Sequence, residues 1–200
     1  MYKHPLTQHQ RVLLFVAILL LIDIFAFYIW HSRDVASRYD PIILQVSRQH
    51  EINPALVKAV IWRESKFNAN AQGNVGEIGL MQIRELTATE WCRENKVTNF
   101  PLDHLYNPQT NITVGTWYLK KMLKRYADTD NPLVYALCDY NAGRRKVLEW
   151  ADGEARTNSK AFLSNISYPT TKSYIETITE QKHHYEISNW RRSSALGWKF

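Results

Sequence analysis

A glutamate ends an apolar helical stripe in the segment "PALVKAVIWRES". Leu56, Val60 and Glu64 are spaced four residues apart, so in a helix they lie above one another on one face. Burial on such a face disfavours the charged form of a carboxyl group and raises its pKa. A carboxyl group that stays protonated near neutral pH can donate a proton to a leaving group. The alternative interpretation is a helix-end carboxylate paired with Arg63, with Lys66 or with a nearby backbone N–H.

Helix start signals recur along the chain, each an Asp or Asn followed by proline, which is typical of a capping residue and a first helical position. Apolar periodicity predicts a long helix over 108–126, and further helices are predicted over 41–50 and about 171–188. Polar or glycine-rich composition predicts loops over 68–82 and 150–160. The chain is therefore expected to be all-α. The four start signals are Asp40-Pro41, Asn53-Pro54, Asn107-Pro108 and Asn131-Pro132.

The apolar segment 12–30, "VLLFVAILLLIDIFAFYIW", is about as long as a helix needs to be to cross a bilayer. Asp23 is its only charged residue, and Tyr28 and Trp30 suit a membrane interface. We expect an uncleaved transmembrane anchor; the alternative is a cleaved signal peptide, for which the chain offers a poor cleavage site. The predicted organisation is a cytoplasmic tail (1–11), the anchor (12–30), a polar linker (31–39), one main domain (40–188) and a basic tail (189–200).

Composition limits the range of partners. The formal charge is +6 and the pI is near 9.3, which favours anionic partners such as nucleic acid, anionic lipid or cell-wall polymer. The basic residues are scattered and no nucleic-acid-binding motif occurs, so no nucleic-acid partner is expected. Cys92 and Cys138 cannot make a zinc site alone. Whether they form a disulfide or stay separate is open at this point.

Several short motifs occur in a fixed order and spacing between residues 40 and 178. This ordered set resembles the lytic transglycosylases of the soluble-transglycosylase, or goose-lysozyme-like, superfamily (glycoside hydrolase family 23). The resemblance implies an all-α, lysozyme-like transglycosylase (SLT) domain over 40–188, preceded by the transmembrane helix. The motifs are Glu64-Ser65 followed by Phe67, "GEIGLMQI" at 76–83, "NPQTNITVGTWYLKKML" at 107–123, "YNAG" at 140–143 and "YPTTKSYIETI" at 168–178.

Enzymes of the family that this chain resembles cleave peptidoglycan between N-acetylmuramic acid and N-acetylglucosamine and close a 1,6-anhydro ring on the muramic acid. The resemblance implies that Glu64 is both acid and base, and that no metal, organic cofactor or second carboxylate is required. Tyr140 is expected to orient Glu64 or to stabilise developing charge. Gly79 is expected to let the backbone approach the sugar closely. The residues expected to bind substrate are Ser65, Gly79, Leu80, Met81, Gln82, Tyr140, Asn141 and Tyr174.

Some of these residues also have ordinary structural explanations. Leu80 and Met81 are typical core residues, and Tyr140 and Tyr174 are equally well explained as buried tyrosines with hydrogen-bond partners. For Ser65, a hydrogen bond to the backbone is expected rather than one to the glutamate beside it. These alternatives remain open until the side chains are located.

The chain departs from the family's usual motifs at several positions. Relatives often carry Met-Pro after "GLMQI", where this chain has Arg84 and Glu85, and a serine where it has Gly73. They commonly have alanine before "YNAG", where this chain has Cys138 and Asp139. These changes leave the acid in place and alter the expected sugar contacts. Arg84 either binds a carboxylate of the peptide stem or faces water.

A second carboxylate would point to a different reaction. A conventional glycosidase needs a partner acid about 5–10 Å from the first. Glu77, which stands where the family usually has a small residue, and Glu85 are the nearest candidates along the chain. Each is also readily explained as a solvated loop carboxylate.

The favoured interpretation is a peptidoglycan lytic transglycosylase, held by a single-pass anchor in the bacterial inner membrane with its catalytic domain in the periplasm. Its expected partners are glycan strands, the membrane through residues 12–30, and envelope or secretion machinery. A hydrolytic muramidase on the same fold is one alternative, and a catalytically weak scaffold that binds the cell wall is another.

Overall fold

A computed structural model describes the backbone of residues 7–196 and the side chains of residues 7–28 and 35–188. The chain divides into two compact units, Met1–Arg38 and Tyr39–Phe200. The described backbone consists of helices and loops, with two isolated β-bridges and no longer strand. The prediction of an all-α chain is confirmed.

The first unit is built on helix α1, Gln8–Ser37. Its stretch Gln8–Tyr28 has a mean hydropathy of 2.4, and none of its apolar window is buried. A helix this long, with apolar side chains all round, is suited to a lipid environment. The predicted anchor therefore coincides with a helix able to cross a membrane. The predicted linker at 31–39 is helical as far as Ser37, and the side chain of Trp30 lies outside the described residues.

The second unit contains eight further α-helices and two 3₁₀ helices among the described residues. The helices predicted at 41–50, 108–126 and 171–188 correspond to α2 (Asp40–His50), α5 (Pro108–Arg125) and α9 (Pro169–Leu196). The α-helices are α2 (Asp40–His50), α3 (Pro54–Ser65), α4 (Glu85–Glu94), α5 (Pro108–Arg125), α6 (Pro132–Ala142), α7 (Arg144–Trp150), α8 (Ser159–Asn165) and α9 (Pro169–Leu196); the 3₁₀ helices are Leu102–Tyr106 and Gly153–Arg156.

Two expectations about irregular segments need correction. The polar loop expected at 150–160 contains a 3₁₀ helix and the first residues of α8. The basic tail was predicted to begin at 189, outside the helix, yet the backbone continues α9 as far as Leu196; residues 197–200 lie outside the described part. In both places polar composition hid a short helical segment, because exposed helical turns need few apolar residues.

The predicted helix starts are largely right, although not every one is capped. The side chains of Asn53 and Asn107 each accept a hydrogen bond from a backbone N–H in the first turn that follows. Such a cap stabilises a helix by about 1 kcal/mol. Asn131 makes no such bond. Asp40 is itself the first residue of α2, and Tyr39 occupies the capping position before it.

Helix α3 lies at the centre of the second unit. Every residue from Ala55 to Ile61 is buried, and α2 and α9 pack against the helix. Lys58 is a charged residue within this buried stretch. It forms an ion pair with Asp40, and its ammonium nitrogen lies 5.2 Å from the ring centre of Tyr185. These contacts compensate the buried charge and attach α3 to both neighbouring helices.

The loop between α3 and α4 is held from inside by Asn111, a fully buried residue of α5. Its Nδ2 donates to the carbonyl oxygens of Ile78 at 2.8 Å and Leu105 at 2.7 Å. Its Oδ1 accepts a hydrogen bond of 2.8 Å from the backbone N–H of Met81. One side chain thus satisfies three buried or partly buried backbone groups of segments that have no regular ladder. Asn111 was not among the residues predicted from the sequence to matter.

Gly79 packs directly against this asparagine with a φ of +77°, a conformation that favours glycine. A Cβ atom at this position would lie 2.3 Å from Nδ2 of Asn111 and 2.5 Å from the carbonyl oxygen of Leu105. Close packing inside the protein therefore requires glycine here, and the expected close approach of the backbone to a sugar stays a prediction.

Replacing Asn111 with alanine should lower the free energy of unfolding by about 3 kcal/mol, because it leaves buried backbone groups without partners. Urea titration of the full chain in detergent, followed by tryptophan fluorescence, measures this loss. Asn74→Ala, at an exposed position in the same loop, is the matched control and should change the free energy by less than about 0.5 kcal/mol. Equal effects of the two substitutions would contradict the role given to Asn111.

Candidate active site

Glu64 lies in the last turn of α3, where the helix leaves the core. Leu56 and Val60 on the same face are buried, whereas Glu64 is only partly covered. The apolar stripe predicted from the sequence therefore continues to the mouth of a cleft, and its last member is the carboxylate. The alternative of a simple pair with Arg63 or Lys66 is not what the structure has, because a tyrosine from another helix holds the carboxylate.

The cleft has a volume of about 350 Å³ and is formed by segments distant in the chain. Its walls come from the end of α3, the loop before α4, the start of α4, the middle of α5 and the end of α6. The residues that line it are Glu64, Glu77, Gln82, Ile83, Arg84, Leu86, Thr87, Tyr118, Asp139, Tyr140, Asn141, Ala142 and Gly143.

The hydroxyl of Tyr174 donates a hydrogen bond of 2.5 Å to Oε1 of Glu64. Burial raises the pKa of Glu64 to about 7; the hydrogen bond from Tyr174 and the charge of Arg63 act in the opposite direction, and the charge of Glu77 raises it further. The guanidinium carbon of Arg63 lies 5.2 Å from the ring centre of Tyr174. Burial also raises the pKa of Tyr174 well above its ordinary value, so it remains a hydrogen-bond donor.

The hydroxyl of Tyr140 is not bonded to Glu64, although burial and then the nearby charge of Glu64 raise its pKa, so its expected part in stabilising charge stays a prediction. This hydroxyl donates instead to the carbonyl oxygen of Met81 at 2.8 Å. The ring of Tyr140 lies 5.6 Å, centre to centre, from that of Tyr118, which also lines the cleft. Tyr140 therefore fixes one wall of the cleft to the loop, and the hydroxyl on the acid belongs to Tyr174.

The loop residues expected to contact sugar divide into two groups. The side chains of Leu80 and Met81 are fully buried, which favours their interpretation as core residues. Ser65 donates to the carbonyl oxygens of Leu80 at 2.9 Å and Ile61 at 3.2 Å, as expected for a bond to the backbone. These residues hold the loop against the end of α3 and lie behind the cleft surface.

Gln82 and Asn141 do reach the cleft. The amide nitrogen of Gln82 donates to the carbonyl oxygens of Gly79 at 2.9 Å and Ala71 at 3.3 Å, which braces the loop. Oδ1 of the exposed Asn141 accepts a hydrogen bond of 2.9 Å from the Thr171 hydroxyl and so joins the end of α6 to α9. Each residue therefore serves the fold and also presents polar atoms towards the cleft.

Two further carboxylates line the cleft. Glu77 accepts a hydrogen bond of 3.1 Å from the backbone N–H of Val75 in its own loop. Asp139 is almost fully buried, pairs with Arg125 and accepts a hydrogen bond of 2.8 Å from the Tyr126 hydroxyl. Glu85, the other acid considered from the sequence, lines a neighbouring depression. The ion pair of Arg125 with Asp139 was not predicted from the sequence. The only hint of it was the acidic residue directly before "YNAG".

The two cysteines lie on different helices, Cys92 on α4 and Cys138 on α6. Both are free, with Cys138 fully buried and Cys92 partly exposed. The question left open by the sequence is therefore answered in favour of two separate thiols.

The comparisons with known proteins identify a family. The family profile described as Transglycosylase SLT domain matches residues 41–163. The chain belongs to this family.

Named relatives show the same pattern of similarity. The chain is 28% identical to the soluble lytic murein transglycosylase of Salmonella typhimurium over 74% of its own length. It covers only 23% of that relative, so it spans about a quarter of the length of the soluble enzymes it matches. It is 25% identical to membrane-bound lytic murein transglycosylase E of Buchnera aphidicola, over 78% of this chain and 72% of the relative.

The fold is similar to a solved structure. The 70 kDa soluble lytic transglycosylase of Escherichia coli superposes with a TM-score of 0.68 at 26% identity, over 76% of this chain and 24% of that one. The expected lysozyme-like fold is confirmed.

The hydrogen bond between Tyr174 and Glu64 predicts a change in the pKa of the glutamate. Tyr174→Phe removes a donor that favours the carboxylate, so the pKa of Glu64 should rise by about one unit, since a bond to a charged group is worth about 1.5 kcal/mol. A ¹³C NMR titration of the Glu64 carboxyl carbon measures the shift, and Glu64→Gln assigns the signal.

Tyr140→Phe is the matched control, because its hydroxyl donates to a backbone carbonyl of the loop. It should move the Glu64 titration by much less than Tyr174→Phe does. A larger shift in the Tyr140 variant would return the orienting role to Tyr140 and contradict the assignment made from the geometry.

Proposed function

We propose that this protein is a peptidoglycan lytic transglycosylase. It cleaves the β-1,4 bond between N-acetylmuramic acid and N-acetylglucosamine and leaves a 1,6-anhydro ring on the muramic acid. The observation that carries the proposal is Glu64, a partly buried acid with a pKa of about 7 at the edge of an open cleft. Membership of the SLT family and the names of the relatives support this substrate class.

The reaction needs one group that gives a proton and later takes one back. Protonated Glu64 donates its proton to the glycosidic oxygen as the bond to the anomeric carbon breaks, and the sugar passes through an oxocarbenium-like state. The resulting carboxylate then removes the proton from the 6-hydroxyl of the muramic acid. The 6-oxygen attacks the anomeric carbon, the anhydro ring closes, and Glu64 is protonated again.

Tyr174 fits the second half of this cycle. Its hydroxyl donates to Glu64, and a donated hydrogen bond favours the ionised form. Burial favours the protonated form. Because the two influences oppose each other, the carboxyl group can exist in both states near neutral pH, as one acid and base requires.

We further propose that α1 is a single-pass anchor in the inner membrane and that the catalytic domain lies in the periplasm, where its substrate is. The length and hydropathy of Gln8–Tyr28 support the anchor. A relative named as membrane-bound supports membrane association.

Substitution of the proposed acid tests the reaction. Glu64→Gln should lower the rate of cleavage of purified sacculi about a thousandfold, because it removes general acid–base catalysis. Mass spectrometry of the wild-type digest should show anhydromuropeptides, which are lighter by one water than hydrolysed products.

Glu77→Gln is the matched control for a carboxylate in the same cleft. This variant should keep most of the rate and the anhydro product. Hydrolysed products from the wild-type protein would instead identify a muramidase with a second acid. Cleavage at an equal rate by Glu64→Gln would remove Glu64 from the reaction.

The titration of Glu64 sets the expected pH dependence. The first proton transfer requires the protonated acid, whose pKa is raised to about 7. The value of kcat/KM should therefore fall above pH 7 by about tenfold per pH unit, as for any single required acid. Tyr174→Phe should move this alkaline limb to higher pH. Turbidity assays on sacculi across pH 5 to 9, run at about constant ionic strength, measure this alkaline limb in both proteins.

A further inference from the structure

A second depression adjoins the catalytic cleft. It has a volume of about 470 Å³ and shares three lining residues with the cleft, Glu77, Arg84 and Leu86. The two hollows are therefore neighbours on one surface of the second unit. The additional residues of this side depression come from the loop 72–78, from Glu85 at the start of α4 and from Leu102.

Arg84 stands between the two hollows. It precedes the first residue of α4, and its side chain is exposed and makes no capping bond. Among the hydrogen bonds and ion pairs of the described residues, none engages its guanidinium group. No contact within the described part of the fold therefore explains the position of this guanidinium group. A fork of N–H donors at the edge of a cleft is suited to a carboxylate.

The side depression also has apolar walls that face solvent. The relative exposure of Leu86 is 77% and that of Val75 is 66%. Single exposed apolar side chains are common, but these two line the same depression as the cationic Arg84. The hollow thus offers methyl contacts together with one positive charge.

Two acids share the depression and limit what it can hold. Glu77 turns its carboxylate to the Val75 N–H of its own loop. Glu85 is exposed next to Arg84. A purely anionic ligand would meet these carboxylates, whereas a ligand with both carboxylates and an amine would match both signs.

We propose that the side depression binds the peptide stem of the peptidoglycan, with Arg84 paired to a stem carboxylate. The inference rests on the proposed function. A stem branches from the muramic acid beside the bond to be cut, so its binding site must open from the glycan cleft. Stem peptides carry alanine methyl groups, free carboxylates and, when not cross-linked, a free amine. The apolar walls, Arg84 and Glu85 fit these three features.

Binding measurements in a Glu64→Gln background test the inference without turnover. Isothermal titration of the full chain in detergent compares two ligands, a glycan fragment with stems and the same fragment after amidase has removed them. Addition of Arg84→Gln should weaken binding of the stem-bearing fragment about tenfold, the effect of losing one charge-assisted hydrogen bond. The ratio of the two affinities should fall accordingly. Arg84→Lys, which keeps the charge, should restore part of the ratio.

Arg93→Gln is the matched control, because Arg93 is an exposed arginine near the other end of α4. It should leave the ratio of affinities unchanged. If Arg84→Gln also left the ratio unchanged while both fragments bound, the stem site would be wrong and the proposed function would stand. If neither fragment bound, the proposed function would fail and the inference with it.

Discussion

The site depends on the hydrogen bond from Tyr174 to Glu64. A carboxyl group removed from water prefers to be neutral, and the strength of that preference depends on what remains around it. Here the end of α3 supplies the burial and α9 supplies the donor. The two residues are 110 positions apart in the chain. The chemistry of the acid therefore depends on a tertiary contact, and any shift of α9 along α3 would change the proton affinity of Glu64.

The packing of α9 on α3 explains how the Tyr174 hydroxyl is held in a fixed position beside Glu64. The two helices meet along their length. Their far ends are joined by the pair of Asn53 with Glu186 at 2.6 Å and by the ring of Tyr185 near Lys58. At the near end, Thr171 holds Asn141 of the cleft wall. Since α9 is fastened at both ends of its contact with α3, Tyr174 between them has little freedom to move.

Local features were predictable from the sequence, and distant contacts were not. The apolar stripe that ends at Glu64 is visible as a four-residue spacing in the sequence. Asn53 and Asn107 indicate helix starts because a capping bond involves only a few neighbouring residues. The choice between Tyr140 and Tyr174 as partner of the acid depends on how whole helices pack, which no local pattern encodes. Asn111 illustrates the same limit, because its three bonds join parts of the chain that only the folded structure brings together.

The structure gives several residues of the "GLMQ" motif a packing role. Leu80 and Met81 are buried, as their alternative interpretation expected, and Gly79 packs against Asn111. These residues shape the loop that carries Gln82, and so they act on the cleft through the backbone. A sequence motif therefore contains residues that pack the fold as well as residues that contact substrate.

The acids of the cleft differ in what surrounds them, and that difference supports the proposal that one carboxyl group carries out the reaction. Asp139 forms an ion pair with Arg125 and accepts a hydrogen bond from the Tyr126 hydroxyl. Glu77 accepts a hydrogen bond from a backbone N–H of its own loop. Glu64 has a neutral hydroxyl as its hydrogen-bond partner and a pKa of about 7. A group that must first release a proton and then recover it needs a partner that tolerates both states. A tyrosine hydroxyl does so, whereas a guanidinium ion would hold the carboxylate in its charged form.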